Sequence, residues 1–362
     1  MRVRIEPRPQ PSRLMSYVSP LIAVGLTLMS GLVLSAVIGL DPIKTFHAFF
    51  IAPVDDLYGL GELGVKAAPL MLIAVGLAIG FRANVWNIGA EGQLAFGAIC
   101  GGGLALWFYE SESAWLLPGM IVAGAVGGML WASVPAFLRT RFNTNEILVS
   151  LMLNYVAILI LSYLVHDPWR DPDGFNFPES RLFSEAGTLP VILEGTRLHL
   201  GFVIALVVVA LGWVFVRKSF TGYQMQVAGL ADLAALYAGF KRKRMIWLGL
   251  LVGGGAAGIA GLGEVAGPIG QLLPSVSPGY GYAAIIVAFV GRLHPLGILL
   301  ASLLMSLLYL GGESAQMELG LPSAITGVFQ GVLLFYLLAA DLFINFQVRV
   351  RRPAADLAEA RA

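Results

Sequence analysis

Between two apolar runs, 67–80 and 94–108, the stretch FRANVWNIGAEGQ at 81–93 places Arg82, Asn84, Asn87, Glu91 and Gln93. A carboxamide both donates and accepts hydrogen bonds, so Asn84, Asn87 and Gln93 have the chemistry to hold a polar, polyhydroxylated solute. An ionised Glu91 only accepts. Two uses stay open for it: taking hydrogens from the hydroxyls or amines of a passing solute, or taking backbone N–H groups where a helix is interrupted. A charge at bilayer depth costs about 3 kcal/mol on insertion scales, so such groups face a bundle interior or a watery route. A second polar point, Arg292 and His294, follows the apolar run from Tyr280 to Val290. Asn154 and Glu264 also interrupt apolar runs and read first as interhelical or loop contacts.

Catalytic and metal chemistry find no such support. His47, His166, His199 and His294 sit in separate segments without ligand spacing, and nothing in sequence pairs a nucleophile with a base and an oxyanion donor. The GxGxxG at 59–64 follows a Pro-Asp-Asp loop rather than a strand, and no GxxxxGK[ST] occurs. The chain is therefore expected to be no enzyme, to hold neither cofactor nor metal, and to draw its energy from elsewhere.

The elements that must position these residues are membrane helices. Of 362 residues, 57% are hydrophobic and only 12% charged, and the mean hydropathy is +0.80, far outside the range of soluble domains. A net charge of +1 supplies no field for nucleic acid. Cys100, alone in an apolar run, reads as packing. Apolar runs predict an all-α, polytopic bundle of about ten segments, near 15–40, 62–80, 93–109, 116–138, 146–165, 200–216, 245–263, 280–291, 295–311 and 323–346. The segment near 280–291 is the short one.

Lys and Arg concentrate at the N-terminus, at Arg139 and Arg141, over 217–244, and at Arg349, Arg351 and Arg352. With ten spans these all fall on one side, which the positive-inside rule makes cytoplasmic. The expected layout is a cytoplasmic tail over 1–14, a membrane domain over 15–346, and a cytoplasmic tail over 347–362. The acidic loop 166–199 then lies outside. Pro42 to Phe50 has the aromatic spacing of an interfacial helix. Gly124 and Gly128, with Gly254 and Gly258, have the four-residue spacing that lets membrane helices approach closely. Segments two to five and seven to ten enter from opposite sides, the arrangement of an inverted repeat.

The connector 217–244 is too polar to span. Leu230, Leu233, Ala234, Tyr237 and Phe240 recur at helical spacing, Asp232 has the chemistry to cap a helix start, and Gly239 to end it. Its small-residue stripe, with Ala231, Ala234, Ala235 and Ala238, suits packing on the bundle or docking on a partner, while Lys241 to Arg244 also suit anionic membrane lipid. Asn145 and Glu146 read as a cap of the fifth segment or as part of a partner interface.

Several ordered motifs resemble one family. They are Asn87-Ile88-Gly89-Ala90-Glu91-Gly92-Gln93, Asn145-Glu146-Ile147, Met152-Leu153-Asn154-Tyr155, Gly222-Tyr223, Ala234-Ala235-Leu236-Tyr237-Ala238-Gly239, Ala260-Gly261-Leu262-Gly263-Glu264-Val265, and Gly281-Tyr282 followed by Gly291-Arg292 and Pro295-Leu296-Gly297. Together they resemble the membrane permeases of bacterial ABC importers in the nucleoside and simple-sugar branch, which share a fold with ribose and cobalamin importers. The resemblance implies a permease in the bacterial inner membrane. It would be served by a double-cassette cytoplasmic ATPase, a second permease copy or paralogue, and an external solute-binding lipoprotein. It makes the helix around Leu230, Asp232, Ala234, Ala235, Tyr237, Ala238 and Gly239 the element that couples to the ATPase. Ala231-Asp232 and Leu293-His294 stand where the family pattern has Asn-Pro and Asn-Asn. A simple-sugar permease and an ion-coupled carrier using Glu91, Arg292 or Glu264 are the alternative readings.

Overall fold

The computed structural model describes residues 2–8 and 12–351; the expected tail beyond 351 lies outside the described residues. The chain divides into two compact units, 52–310 and a unit formed by 1–51 with 311–362.

In the unit 52–310 the helices are α3 (Leu57–Arg82), α4 (Ala90–Trp107), α5 (Leu116–Phe142), α6 (Glu146–His166), α7 (Leu200–Lys218), α8 (Phe220–Leu230), α9 (Asp232–Tyr237), α10 (Arg242–Glu264), α11 (Tyr280–Val290) and the first part of α12 (Pro295–Leu319). Helix α10 is the axle, packed against α3, α4 and α5, while α7 lies on α3, α6 on α4, and α11 on both α3 and α4. Both α3 and α4 are apolar around the whole circumference, as helices buried on every side are. Glycine permits the central contacts. A side chain at Gly128 or Gly258 would run into the backbone of Gly254 or Gly124 respectively, and one at Gly97 into Gly258. The spacing of glycines therefore translates into backbone-to-backbone contact among α4, α5 and α10.

The other unit holds α1 (Arg13–Val37), α2 (Pro42–Phe50), the end of α12 and α13 (Ala324–Asn345). Helix α2 occupies the expected interfacial span and is capped by Asp41, which accepts from the Ile43 and Lys44 N–H groups. Helices α1 and α13 pack together, with Ser30 and Tyr336 hydroxyls 2.6 Å apart, and Phe49 rests against Phe329 at 4.9 Å between ring centres. Outside the helices, strands β1 (Arg2–Pro7) and β2 (Phe346–Arg351) pair antiparallel as a short ribbon.

Among the described residues, eight helices are long and apolar enough to cross a membrane. The two remaining expected segments are α4, with 18 residues, and α11, with 11. At 1.5 Å per residue α11 extends only about 16 Å, roughly half the hydrocarbon thickness.

Candidate functional site

Two interruptions put unpaired backbone inside the unit 52–310, and the polar residues gather around them. The first separates α3 from α4 over 83–89. It opens with Asn84 in the left-handed region at φ 54°, a conformation that asparagine tolerates better than most residues. Its side chain accepts from the Trp86 indole N–H at 2.7 Å. The Val85 N–H still returns to the Gly80 carbonyl of α3 at 3.1 Å; beyond it side chains must satisfy the backbone.

Helix α6 does so. Glu146, Ser150 and Asn154 recur every four residues, hence on one face, and all three are buried. Glu146 Oε1 accepts from the Trp86 N–H at 3.4 Å and Ser150 Oγ from the Ile88 N–H at 3.3 Å. Asn154 Oδ1 accepts from the Gly92 N–H at 2.9 Å, while its Nδ2 donates to the Ile88 carbonyl and to the Tyr282 hydroxyl, both at 3.0 Å. Asn145 caps α6 by accepting from the Ile147 and Leu148 N–H groups. Asn87 and Gln93, each 1% exposed, bond each other reciprocally at 2.8 and 3.0 Å, and Asn87 Oδ1 also accepts from the Gly89 N–H at 3.0 Å.

The second interruption runs from a π turn at Val265–Ile269 to the start of α11. It turns at Gly270 (φ 79°) and Gly279 (φ 96°). Ser277 Oγ accepts from the Tyr280 N–H at 2.8 Å, and Glu91 Oε2 accepts from the Gly281 N–H at 2.7 Å. A carboxylate on the first turn of α11 meets both orphan donors and the positive end of the helix dipole. Gly281 lies directly on the backbone of Ala90 and Glu91, leaving no room for a side chain. The starts of α4 and α11 therefore abut, each in part capped by a residue from another helix.

Loop 166–199 straps the second interruption by backbone bonds. The Phe183 N–H donates to Gly270 O at 2.8 Å, the Leu189 N–H to Ala266 O at 2.7 Å, and the Ser180 N–H to Leu272 O at 3.0 Å. Beside it Arg197 grips Glu62 with two bonds, 2.8 and 2.5 Å long, which raise the guanidinium pKa. His199 begins α7, its Nδ1 accepting from the Gly201 N–H at 3.1 Å, and burial pushes its pKa down to about 4.

The expected site residues thus fall into two layers rather than one. Asn87, Glu91, Gln93 and Asn154 meet where α4 and α11 begin. Asn84, Arg292 and His294 belong to the other end of α11, where the Arg82 guanidinium donates to the Leu293 carbonyl at 2.8 and 3.3 Å. Arg292 and Leu293 turn there in the left-handed region at φ 57° and 53°. Phe81, Trp86 and Phe289 stack in this lower layer with ring centres 5.1 to 5.9 Å apart. Glu264, buried near the end of α10, stands with His199 around a small apolar cavity. The sequence reading missed Ser150, Trp86 and Tyr282; the four-residue spacing of Glu146, Ser150 and Asn154 was the available signal.

In the connector, Ala231 precedes the helix and makes no capping bond, so Asp232 is not the cap expected of it. It lies inside the first turn, and its carboxylate turns to Arg242 at 3.1 Å. Gly239 does end α9, at φ 78°, with the Phe240 N–H donating to Ala235 O at 2.9 Å. Ala235 is buried, whereas Leu230, Ala234, Tyr237 and Ala238 are exposed.

Known proteins share this chain's pattern. A glucose ABC transporter permease of Haloferax volcanii is 32% identical over 360 residues, 97% of this chain and 94% of that protein. A guanosine ABC transporter permease of Bacillus subtilis is 28% identical over 341 residues, 92% and 96% of the two chains. A nucleoside ABC transporter permease of Lactococcus lactis is 26% identical over 349 residues, 94% of each. No solved structure matches. The family model described as the permease component of the branched-chain amino acid transport system matches residues 60–338, and with its apolar helices the chain belongs to that family as a multi-pass membrane permease subunit.

Proposed function

We propose that the chain is the transmembrane subunit of an ATP-driven importer that takes up a nucleoside. The reading rests on the connector: Leu230, Leu233 and Tyr237 are 80, 82 and 97% exposed. Three large apolar side chains on a polar, basic segment suit a groove on a soluble partner. That partner is a cytoplasmic ATPase with two cassettes. Its closure on ATP drives α8 and α9 and alternates access to the route, while the chain itself hydrolyses nothing. A solute-binding lipoprotein delivers solute outside, and a second permease copy or a paralogue completes the route. The connector end, with both termini, faces the cytoplasm across the bacterial inner membrane; residues 15–346 form the membrane domain, with tails at 1–14 and 347–362. The bundle also contacts anionic lipid through Lys241 to Arg244.

Asn87, Glu91, Gln93 and Asn154 border the route in one layer, and Asn84, Arg292 and His294 in the other. Nucleosides rank first because two relatives carry that name and because Phe81, Trp86 and Phe289 offer flat faces beside the first interruption. The glucose permease relative favours a second reading, a simple sugar. Reconstituted with ATPase and lipoprotein, the permease is expected to take up labelled guanosine only with ATP, and glucose at a small fraction of that rate. The reverse preference would make it a sugar permease. Uptake by the permease alone under a proton or sodium gradient would make it an ion-coupled carrier and sink the importer reading.

A further inference from the structure

At the connector end, two ion pairs that share one cavity lie between α9 and the first interruption. Asp232, in the first turn of α9, pairs with Arg242 on α10 at 3.1 Å. Both line a cavity of about 70 Å³ together with Arg139 of α5, Asn84 and Gly229. Arg139 forms an ion pair with Glu146, the first residue of α6. The same Glu146 oxygen that takes the Arg139 guanidinium also accepts the Trp86 N–H at 3.4 Å. The Trp86 indole in turn holds Asn84, the left-handed residue that opens the interruption. A second contact runs in parallel. Gly229, next to the end of α8, lies on the backbone of Arg82 and Ala83, so closely that a side chain would meet the Arg82 carbonyl.

The two ion pairs differ in environment. Asp232 and Arg242 have side chains 42 and 57% exposed, where water and salt screen the attraction. Arg139 and Glu146 are 14 and 10% exposed, so their attraction is screened far less. A buried carboxylate shared between a guanidinium on one helix and a backbone N–H in an interruption has two masters. Displacing one moves the other.

We propose that the Arg139–Glu146 pair is the joint through which the connector positions residues 83–89, making Glu146 a positioning residue for transport. This rests on the importer reading. Motion of α8 and α9 shifts Gly229 against Arg82 and Asp232 against Arg242. Arg139, in the same cavity, follows, and Glu146 carries the shift to Trp86.

The test uses the assembled complex in proteoliposomes and reads solute transported per ATP hydrolysed. Glu146→Gln keeps the shape and loses the ion pair; it is expected to lower that ratio about tenfold, with basal ATP hydrolysis within about twofold of the parent. Glu146→Asp keeps the charge on Arg139 but withdraws from Trp86, with an expected loss of about threefold; it decides the matter alone if Glu146→Gln does not assemble. Combining Arg139→Ala with Glu146→Gln is expected to be no worse than either single change, because one joint breaks once. An unchanged ratio, uptake and hydrolysis falling in parallel, or multiplicative losses would overturn the joint while leaving the importer intact. A parent complex without ATP-dependent uptake would overturn both.

Discussion

The two interruptions solve one physical problem by opposite means. At 83–89 the unpaired backbone is satisfied by side chains standing on a helix, the Glu146, Ser150 and Asn154 face of α6. At 265–279 it is satisfied largely by the backbone of a loop, through Ser180, Phe183 and Leu189. A helix that moves as a rigid body takes its three polar groups along together, which is the property the proposed joint uses. A loop strap holds one place. On the proposed reading, motion belongs to the connector end and closure to the loop end.

The largest effect is expected where the two regions touch. Gly281→Ala drives a methyl group into the backbone of Ala90 and Glu91, which neither helix start can yield without losing its caps. Overpacking of this kind costs about 1 to 3 kcal/mol, and uptake is expected to fall at least about 100-fold while the protein still reaches the membrane. Near-normal uptake would show that α4 and α11 separate in the working cycle.

Asn154→Ala and Ser180→Ala compare the two strategies directly. Asn154 serves three partners, the Gly92 N–H, the Ile88 carbonyl and the Tyr282 hydroxyl, so its removal is expected to destabilise the purified protein by about 3 kcal/mol at about 1 per lost bond. Ser180 Oγ accepts the Leu272 N–H at 2.9 Å and donates to the Arg181 carbonyl at 3.0 Å, and about 2 kcal/mol is expected. Thermal unfolding in detergent ranks them; equal losses would mean that helix and loop brace their interruptions alike.

At the loop end, Arg197→Ala strands the Glu62 carboxylate, which is only 8% exposed against 53% for the arginine. Breaking a fully buried pair costs about 3 to 5 kcal/mol; with one partner half in water, about 2 is expected, in the same unfolding assay. Pairing it with Glu62→Gln should recover part of the loss. A double variant as unstable as the sum of its parts would exclude a direct ion pair.

What the sequence disclosed and what it hid follow from range. Helix α2 was legible to its ends, Pro42–Phe50, because aromatic spacing is a local signal. The glycine spacings of α5 and α10 announced close packing for the same reason. A second polar point was placed at Arg292 and His294, since polar residues there follow a short apolar run. The break that abuts the first instead precedes that run, at Gly279, where Pro, Ser and Gly look like an ordinary loop between spans. Glu91 was left open between two uses, and its backbone partner Gly281 lies 190 residues away, a separation no periodicity reveals. Asp232 looked like a cap because local chemistry allows it, and the cross-helix attraction of Arg242 gave it other work.

The smallest predicted effect tests the loop end through pH. His199 accepts the Gly201 N–H at Nδ1, so its proton sits on Nε2, where it is buried against Gly267 without a hydrogen-bond partner. Burial is the largest cause of its depression from 6.5 to about 4; the Glu62 carboxylate opposes that depression and Arg197 adds to it. A base whose folded pKa is lowered takes up its proton in the unfolded chain first. Its contribution to stability is therefore complete above pH 6.5 and is lost as pH falls toward 4. Between pH 7 and 5.5 the loss is expected to be about 1 kcal/mol. His199→Asn, which keeps a side-chain acceptor for the Gly201 N–H, should remove that slope from the unfolding curve without removing the cap. An unchanged slope would mean that the imidazole titrates alike in the folded and unfolded chain, with Glu62 offsetting burial, whereas a change of opposite sign would mean that the loop end is held by charge rather than by exclusion of water.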